Sequence, residues 1–544
     1  MTHATADLSS FEFLEVDALL HALQDGNELA IVDAREEGVQ VRDGHLLWSV
    51  PLPLSQLELR AGRLLRRGDV RIVVTDAEGG PLAQRTAARL QALGFSDVRV
   101  LRGGLAAWRA AGQEVYTGAS TYTKAFGEYV EHHDHTPSVS VGELHAKLAA
   151  GDDLVVLDGR TAHEFEDFSL PGAYSVPNAE LPYRVHGLLR SPETLVVVNC
   201  AGRTRSIIGA QALINAGLPN RVVALRNGTM DWLLEGYTLQ HGQPAQLPAA
   251  PAADAQEPRQ AVAHLTQRYD LHWLDDAGLA DLQAQQDRRS LYIYDVRTRA
   301  EYAAGHLPGS AWIEGGQLVQ ELDKHVGARH ARIVLVDDAL GARAAITASW
   351  LQQLAWGEVF AYRLPAGAAT AVGAEPELLL APLPEVPLVT ADALAQSLAD
   401  GSAQVIDFAP APVYEDGHIP GAFYAVRARL PDGLDRLSAQ ALVATSPDGR
   451  LARLAAADLA RLLGRPVAAL DGGTAAWQAL GQPLETGPTA LLHEPDDAWR
   501  SPYRVADPHA AFREYLRWEI DLLAQIARDP LVAFRDFPAI PARA

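Results

Sequence analysis

The sequence predicts an α/β protein of four similar domains, each a mostly parallel sheet with helices on both faces, followed by a C-terminal helical extension. The chain has 544 residues, which is more than one hydrophobic core of about 250–300 residues accommodates. An apolar run that ends in aspartate occurs four times, at Asp33, Asp158, Asp295 and Asp407. Short apolar runs bounded by glycine and proline alternate with helix-like stretches, which is typical of a parallel sheet covered by helices.

The first half of the repeated unit is a strand followed by a turn. In three units the strand ends in Asp-x-Arg, with the arginines at Arg35, Arg160 and Arg297, whereas the fourth unit has Ala409 there. A Pro-Gly turn follows in three units, and its prolines are Pro171, Pro308 and Pro420. The first unit keeps only a degraded version of this turn, at residues 44–49.

The second half of the unit begins with another apolar run. This run leads to Asp76, Cys200, Asp337 or Ser446 in the four units. Each run passes through a loop into a helix-like stretch, such as RSIIGAQALINAG after the cysteine. A third short strand and a glycine turn then lead to Trp108, Trp232 and Trp477, while the third unit keeps only VFAYRLP.

This pattern predicts the domain limits. We expect four domains at residues 8–117, 136–242, 265–373 and 388–487, and the extension at residues 488–544. Residues 245–260 are rich in Ala, Pro and Gln, and residues 374–388 hold four prolines, so both are predicted to be extended surface chain. Inside the extension, the segment HAAFREYLRWEIDLLAQIA has helical spacing and is predicted to pack on a neighbouring domain.

Composition narrows the classes of partner. The chain has 46 Lys and Arg against 68 Asp and Glu, a formal charge of −22. It has no block of basic residues, so we expect neither nucleic acid nor a membrane surface as a partner. No stretch has the apolar length of a membrane span, and residues 1–12 lack the basic and apolar regions of a signal peptide. The single cysteine excludes an internal disulfide, and we expect a cytoplasmic protein.

Cys200 is the candidate nucleophile. It follows a buried-type strand and begins the loop Cys-Ala-Gly-Arg-Thr-Arg before a helix. In such a turn, backbone N–H groups face inward and the helix N-terminus adds a positive dipole end, so the loop favours a bound anion. Arg203 and Arg205 add two positive charges, and we therefore predict a lowered pKa for the Cys200 thiol.

The same loop supplies the other candidate binding residues. They are Ala201, Gly202, Arg203, Thr204, Arg205 and Ser206. Gly202 permits close backbone approach or a positive φ, and Ser206 is predicted to cap the helix. Asn227 belongs to the closing turn of the same unit and is a possible supporting residue. Asp158 and Arg160 recur in units that lack the cysteine, which favours a structural ion pair over a catalytic role.

Together, the Asp-x-Arg strand, the Pro-Gly-Ala turn, the strand–Cys–loop–helix segment and the closing turn before tryptophan resemble the rhodanese domain. The resemblance covers four copies, and only the second has a cysteine. It implies a sulfurtransferase that carries sulfane sulfur as a persulfide on Cys200, with neither cofactor nor metal. The implied donor is a small anion, thiosulfate above all, and the implied acceptor is a thiol or cyanide. The copies with Asp76, Asp337 and Ser446 are interpreted as inactive structural or docking domains, because no other thiol exists to act.

Departures from the family pattern leave the donor open. Ser169 stands where the family has histidine before Leu-Pro-Gly, and Asn227-Gly228 replaces the closing Gly-Gly. The cysteine loop resembles neither the CGSG loop of mercaptopyruvate sulfurtransferases nor the CRKG loop of bovine-like thiosulfate sulfurtransferases. The sequence does not set the oligomeric state or the arrangement of the domains.

Two other functions remain alternatives. One is a sulfur-relay or scaffold module that accepts persulfide sulfur from a partner without efficient turnover. The other is a cysteine-dependent phosphatase or arsenate reductase, whose loops generally hold Cys-x5-Arg. The spacing from Cys200 to Arg205 is one residue shorter, which suits a sulfane sulfur better than a phosphoryl group.

A histidine cluster precedes the second unit. His132, His133 and His135 lie beside Asp134. A metal site is one interpretation. The spacing is not that of an i, i+4 pair on a helix face, so we favour a solvated linker.

Overall fold

The fold comprises four five-stranded sheets, seen in a computed structural model that describes residues 12–538 except 366, 369, 370, 376, 431, 438 and 439. Residues 8–11 of the first predicted domain and 539–544 of the predicted extension lie outside the described residues. Every strand pair in the four sheets is parallel. Numbering the strands by their order within a domain, the spatial order is 1-5-4-2-3 in all four. The predicted α/β class with four tandem sheets is confirmed.

The first two domains repeat the same elements. The first consists of β1 (Phe13–Leu14), α1 (Val16–Gln24), β2 (Ala30–Asp33), α2 (Glu37–Asp43), β3 (Ser49–Pro51), α3 (Leu57–Leu64), β4 (Ile72–Thr75), α4 (Pro81–Ala92), β5 (Val98–Leu101) and α5 (Gly104–Ala110). Helix α6 (Thr121–Asp134) follows it. The second consists of β6 (Ser138–Val139), α7 (Val141–Ala150), β7 (Leu154–Asp158), α8 (Ala162–Asp167), β8 (Tyr174–Ser175), α9 (Leu181–Arg184), β9 (Leu195–Asn199), α10 (Thr204–Asn215), β10 (Val222–Leu225) and α11 (Gly228–Leu234).

The last two domains vary the pattern slightly. Helix α12 (Gln256–Tyr269) leads into the third, which consists of β11 (His272–Leu274), α13 (Asp276–Ala284), β12 (Leu291–Asp295), α14 (Arg299–Ala304), β13 (Ala311–Trp312), α15 (Gly315–Gln320), α16 (Leu322–His325), β14 (Arg332–Asp337), α17 (Ala342–Leu354) and β15 (Glu358–Arg363). The fourth consists of β16 (Leu388–Val389), α18 (Ala391–Ala399), β17 (Ala403–Asp407), α19 (Ala411–Asp416), β18 (Phe423–Tyr424), β19 (Ala441–Thr445), α20 (Arg450–Leu463), β20 (Ala468–Leu470) and α21 (Gly473–Ala479). The 3₁₀ helix Pro502–Arg504 and helix α22 (Pro508–Ile526) end the described fold.

The second domain shows why the apolar runs form central strands. Along β7, Val155 and Leu157 face a core that includes Ala210 and Leu213 of α10, on one side of the sheet. Val156 faces the opposite core, which is built with α7 and α11. Because successive side chains of a strand point to opposite faces, a continuous apolar run is the expected sequence for a strand covered on both sides.

Two connecting segments are helical where the sequence suggested irregular chain. Helix α12 begins at Gln256, so the prediction of extended chain for residues 245–260 is wrong from there onward. Pro258 does not prevent this, because a proline in the first turn of a helix removes no intrahelical hydrogen bond. His132 and His133 form the last turn of α6, so the predicted solvated linker is instead a helix. His133 bonds to Asp134 at 3.0 Å, and no metal-binding group of His, Cys, Asp and Glu is found within the described ranges.

The domains are held together by shared packing. The first and third domains, with α6, α12 and α17, contribute to one continuous hydrophobic core. The fourth domain joins the first through Arg427, whose guanidinium pairs with Glu58. In the part of the chain that the structure covers, no helix has both the length and the apolar character needed to cross a bilayer.

Candidate functional site

Cys200 lies between strand β9 and helix α10, at the carboxyl edge of the second sheet. Its side chain is buried, with 2% exposed, and its Sγ lies 3.6 Å from Oγ of Ser206. The turn at Asn227 and Gly228 packs against the loop, and both residues have positive φ. A side chain at Gly228 would collide with the carbonyl oxygen of Cys200. Thr229 donates its N–H to that oxygen at 3.0 Å, so the closing turn fixes the position of the cysteine.

The ionisation of Cys200 differs from the sequence-based expectation. Burial raises the pKa of the Cys200 thiol above its ordinary value. The positive charge of Arg205 and the hydrogen bond with Ser206 lower this pKa, while the carboxylate of Glu519 raises it further. The prediction of a lowered pKa is therefore wrong for this closed site. Desolvation of a buried thiolate outweighs the single cation that acts on it.

Arg205 is the loop arginine whose charge acts on the thiol. Its guanidinium donates two hydrogen bonds to Glu164, at 2.7 and 2.6 Å. Glu164 also completes the capping box of α8 with Thr161, so the first turn of that helix fixes the partner of the arginine. Burial alone would raise the pKa of Glu164, but Arg205 holds it at about 2. The pair is thus ionised, and the carboxylate offsets part of the positive charge that faces Cys200.

Arg203 is bound to glutamates of α6. Its guanidinium donates to both carboxylate oxygens of Glu128, at 2.7 and 2.8 Å, and also to Glu131, both on α6. A further hydrogen bond of 2.9 Å reaches Asn227. The side chain is 8% exposed. The structure therefore places Arg203 and Asn227 in a hydrogen-bond network between the cysteine loop and α6.

The remaining loop residues have backbone or packing contacts. Ser206 does not cap α10, because the N-cap is Arg203. Its hydroxyl instead donates to the Arg203 carbonyl at 2.8 Å. Gly202 allows Glu519 to approach the loop closely, since a Cβ at this position would lie 3.0 Å from Oε2 of Glu519. The carbonyl of Ala201 accepts hydrogen bonds from the closing turn, and the Thr204 hydroxyl donates to Glu519 at 3.2 Å.

Asp158 and Arg160 form a fully buried ion pair behind the loop, with Nη2 and Oδ2 2.8 Å apart. Asn199 donates to the same Asp158 oxygen at 3.1 Å, and Arg160 also donates to the Phe168 carbonyl at 2.6 Å. The first and third domains contain the same kind of pair without a thiol. The geometry agrees with the structural interpretation of this motif.

The C-terminal segment covers the cysteine loop, a contact that sequence reasoning missed. The Tyr503 hydroxyl donates to the carbonyl of Ala201 at 3.2 Å and lies 2.7 Å from the Thr229 hydroxyl. On α22, Tyr515 donates to Glu519 at 3.2 Å, and both face the loop. We call residues 500–526 the C-terminal strap. The helical spacing predicted α22, but nothing local in the sequence indicates which domain it covers.

In the first domain, the loop that corresponds to the cysteine loop holds a carboxylate in place of a thiol. Oδ1 of Asp76 accepts the backbone N–H groups of Glu78, Gly79 and Gly80, at 3.0, 2.5 and 3.1 Å. Its Oδ2 accepts the N–H of Ala83 at 3.0 Å. A loop of this type therefore presents several converging N–H donors to one negatively charged group.

The third domain adds a charged side chain to this arrangement. Oδ1 of Asp337 accepts from Nε of Arg343 at 2.8 Å, and Oδ2 accepts the N–H of Ala344 at 2.9 Å. Arg343 also holds Glu301, at 2.8 and 3.1 Å. Arg343 binds the glutamate of the α14 capping box, as Arg205 binds that of the α8 capping box. The two arginines therefore occupy equivalent places in their domains. In the fourth domain the Ser446 hydroxyl accepts the N–H of Ala452, at 3.1 Å.

Comparison with known proteins identifies the family. The family model described as a rhodanese-like domain matches residues 15–111, 140–235, 278–364 and 390–480. This chain belongs to the rhodanese-like family, with four copies of its domain, and the resemblance drawn from the sequence is confirmed.

Particular relatives point the same way. The crystal structure of thiosulfate sulfurtransferase from Pseudomonas aeruginosa is 42% identical, with a TM-score of 0.90, and the match covers 97% of this chain and 100% of that one. The putative thiosulfate sulfurtransferase SseB of Mycobacterium tuberculosis is 30% identical over 141 residues, which is 24% of this chain and 49% of SseB. The chain thus spans about half the length of the curated relatives that it matches.

Proposed function

We propose that this chain is a rhodanese-type sulfurtransferase with one working site, in which Cys200 carries sulfane sulfur as a persulfide. One observation carries the proposal: the only thiol of the chain stands in a loop whose counterparts hold the carboxylates Asp76 and Asp337 through converging backbone N–H groups. A persulfide is also anionic, so a loop of this kind is suited to hold it. The similarity to the Pseudomonas aeruginosa enzyme supports thiosulfate as the donor.

In the first half-reaction the Cys200 thiolate attacks the outer sulfur of thiosulfate. A new S–S bond forms, and the S–S bond of thiosulfate breaks with its electron pair leaving on sulfite. In the second half-reaction an acceptor thiolate or cyanide attacks the outer sulfur of the persulfide. That bond breaks with its electron pair returning to Cys200, so the enzyme alternates between two covalent states.

The loop residues have distinct parts in this scheme. In this scheme the backbone N–H groups between Ala201 and Ser206 hold the outer sulfur, as the loop of the first domain holds Asp76. Gly202 allows the close approach of Glu519 to the loop. Arg205 supplies the positive charge, as Arg343 does for Asp337 in the third domain. Arg203, Asn227, Asp158 and Arg160 maintain the shape of the loop through buried bonds, without contact to the sulfur.

The burial of Cys200 adds a requirement for access. Because only 2% of this side chain is exposed, the C-terminal strap has to move before a donor reaches the sulfur. Thiosulfate binds to the open site, and closure then excludes water from the persulfide. The fourth domain holds the strap through Arg500 and Glu415, and the first domain holds it through Glu114 and Gln525. The three domains without a thiol take no part in the chemistry.

A sulfur relay is the second candidate. The closed site favours a relay in one respect, because a buried persulfide is protected from solvent until a partner opens the strap. A phosphatase is disfavoured, because the spacing from Cys200 to Arg205 is one residue shorter than in Cys-x5-Arg loops. The proposed partners are therefore a small anionic sulfur donor and a thiol acceptor. A reducing compartment such as the cytoplasm suits a thiol nucleophile.

Intact-mass spectrometry tests the proposal. Incubation with thiosulfate should add one sulfur atom per chain, and a thiol reductant should remove it. The Cys200→Ser variant should show neither the adduct nor turnover of thiosulfate with cyanide. Stoichiometric loading without turnover would establish the relay instead. Absence of any adduct with thiosulfate, a glutathione persulfide or mercaptopyruvate would refute the proposal.

A further inference from the structure

Glu519 lies on the face of α22 that covers the cysteine loop. Its side chain is 1% exposed, and Oε1 accepts hydrogen bonds of 3.2 Å from Thr204 and Tyr515. Oε2 is buried and has no hydrogen-bond partner among the described residues. A Cβ on Gly202 would lie 3.0 Å from this oxygen, so the free half of the carboxyl group faces the loop that begins at Cys200.

The surroundings leave the charge of Glu519 without direct compensation. Lys124 on α6 is near enough to act on it, but its ammonium lies over the rings of Tyr515 and Trp518, at 5.0 and 4.9 Å. No salt bridge to Glu519 is found within residues 12–538 as described. The carboxyl is therefore a buried acid whose ionised form meets no matched cation.

Two further charged groups of the loop and α6 act on the same carboxyl. Arg203 faces Glu519 from the loop, and its guanidinium is already held by two hydrogen bonds to Glu128. Glu128 adds a like charge from α6. The thiol of Cys200 completes the set, because an ionised Glu519 raises the pKa of that thiol.

We propose that Glu519 is a positioning residue for Cys200: in its neutral form the loop accepts an anionic sulfur, and in its ionised form the loop opposes one. This inference rests on the function proposed for Cys200. The physical reason is direct: two negative groups that share a buried site repel each other strongly. A neutral carboxyl can in addition donate a hydrogen bond from Oε2 toward an anion in the loop.

The sign of the pH effect follows from burial. Burial raises the pKa of Glu519 above its ordinary value. Below that raised pKa the carboxyl is neutral and Cys200 ionises more easily. Above it, the added negative charge opposes the thiolate. Glu519 thus works against thiolate formation as the pH rises, and a permanently neutral side chain at this position should remove the opposition.

The Glu519→Gln variant tests this with the full-length chain. The ultraviolet absorbance of the thiolate, taken as the difference from the same chain carrying Cys200→Ser and followed against pH, reports the thiolate fraction without any need for the strap to open. We expect the midpoint of the variant's profile to lie about 1 pH unit below that of wild type. This shift corresponds to a tenfold larger thiolate fraction at a fixed pH below the midpoint. Glu514→Gln, on the exposed side of the same helix, is the matched control and should leave the profile unchanged.

A second neutral variant separates charge from shape. Glu519→Leu removes a buried carboxyl oxygen that has no hydrogen-bond partner among the described residues, and burial of such an atom is costly. It is the second neutral variant if the glutamine variant does not fold. Both neutral variants should move the profile in the same direction, and Glu519→Asp should keep it near wild type. A profile that stays in place in a folded neutral variant, or moves equally in Glu514→Gln, overturns the inference.

The outcome also separates this inference from the proposed function. The thiolate absorbance needs only a thiol, so its pH profile can be measured whether or not sulfur is transferred. A wild-type chain that forms no persulfide refutes the sulfurtransferase and leaves the absorbance profile to decide the role of Glu519. A wild-type chain that forms the persulfide, with no change of profile in the variants, retains the function and refutes the role of Glu519.

Discussion

Arg205 holds Glu164 through two hydrogen bonds, at 2.7 and 2.6 Å, and Arg343 holds Glu301 in the same way in the third domain. There the arginine also binds the carboxylate of Asp337 through Nε, at 2.8 Å. The third domain thus contains an arginine that contacts its glutamate and an anion at the same time. We therefore expect Arg205 in the second domain to keep its glutamate while it contacts an anionic sulfur on Cys200.

This relationship predicts a kinetic effect of Arg205→Ala. One charge-assisted hydrogen bond is worth about 1.5–3 kcal/mol, so kcat/KM for thiosulfate should fall about 10- to 100-fold. Combining it with Glu164→Gln avoids leaving an unpaired carboxylate. Steady-state turnover of thiosulfate and cyanide is the measurement, and Arg205→Lys, which keeps the charge, should recover part of the loss. An unchanged kcat/KM would show that Arg205 does not act on the donor.

Arg203→Ala should mainly change stability. From the sequence, both loop arginines are expected to affect donor use more than stability, as surface residues do. The structure corrects this for Arg203, which is buried against Glu128. Removing one partner of a buried ion pair costs about 3–5 kcal/mol. We expect a clear fall in the thermal unfolding midpoint, partly restored by adding Glu128→Gln. A midpoint within error of wild type, with donor use impaired, would contradict this.

The Tyr503→Phe variant tests the strap as a barrier to Cys200. The substitution removes the hydroxyl that bonds to Ala201 and Thr229 but keeps the ring, which lies 4.7 Å from that of Phe168 between centroids. Loss of one or two neutral hydrogen bonds weakens closure by about 1–2 kcal/mol. Alkylation of Cys200 at fixed pH should therefore speed up about five- to thirtyfold. Equal alkylation rates would mean that access does not depend on this contact.

The fold was predictable because its signals are local. Each strand is an apolar run, and Asp-x-Arg marks the strand end in three of four domains. Helix α6 escaped prediction although Tyr122, Phe126 and Val130 recur at intervals of four and are buried. The histidines at its end are interpreted from the sequence as a solvated linker, in preference to a metal site, and this interpretation leaves no place for the helix. Its spacing was available in the sequence and would have identified the helix.

The candidate site was predictable only in part. The single cysteine and the loop identified Cys200 and its neighbours, because these are adjacent in sequence. The partners of the loop come from distant segments: Glu128 and Glu131 from α6 and Glu519 from α22. Whether an arginine faces a thiol or a glutamate depends on tertiary packing. The predicted lowering of the Cys200 pKa failed because burial, which also depends on tertiary packing, raises the pKa of the thiol more than Arg205 lowers it.

The fourth domain offers a test of the structural role of Asp-x-Arg. Ala409 stands where the other three domains have the arginine that pairs with the aspartate. Oδ2 of Asp407 is buried without a partner among the described residues, and burial raises the pKa of this carboxyl to about 6. Because the folded pKa lies above the ordinary value of 3.8, the folded state is favoured at low pH and loses stability as the pH rises from about 4 to 6.

Asp407→Asn should thus stabilise the fourth domain by about 3 kcal/mol at pH 8 and have little effect at pH 4, because a tenfold change in a proton-binding constant corresponds to about 1.4 kcal/mol. Hydrogen exchange of strands β17 and β19 at the two pH values measures this, with the exposed Asp471→Asn as control. Equal protection of wild type and variant at pH 8 would show that the unpaired carboxylate is accommodated without cost, and that the arginine of the other three domains is not needed for stability.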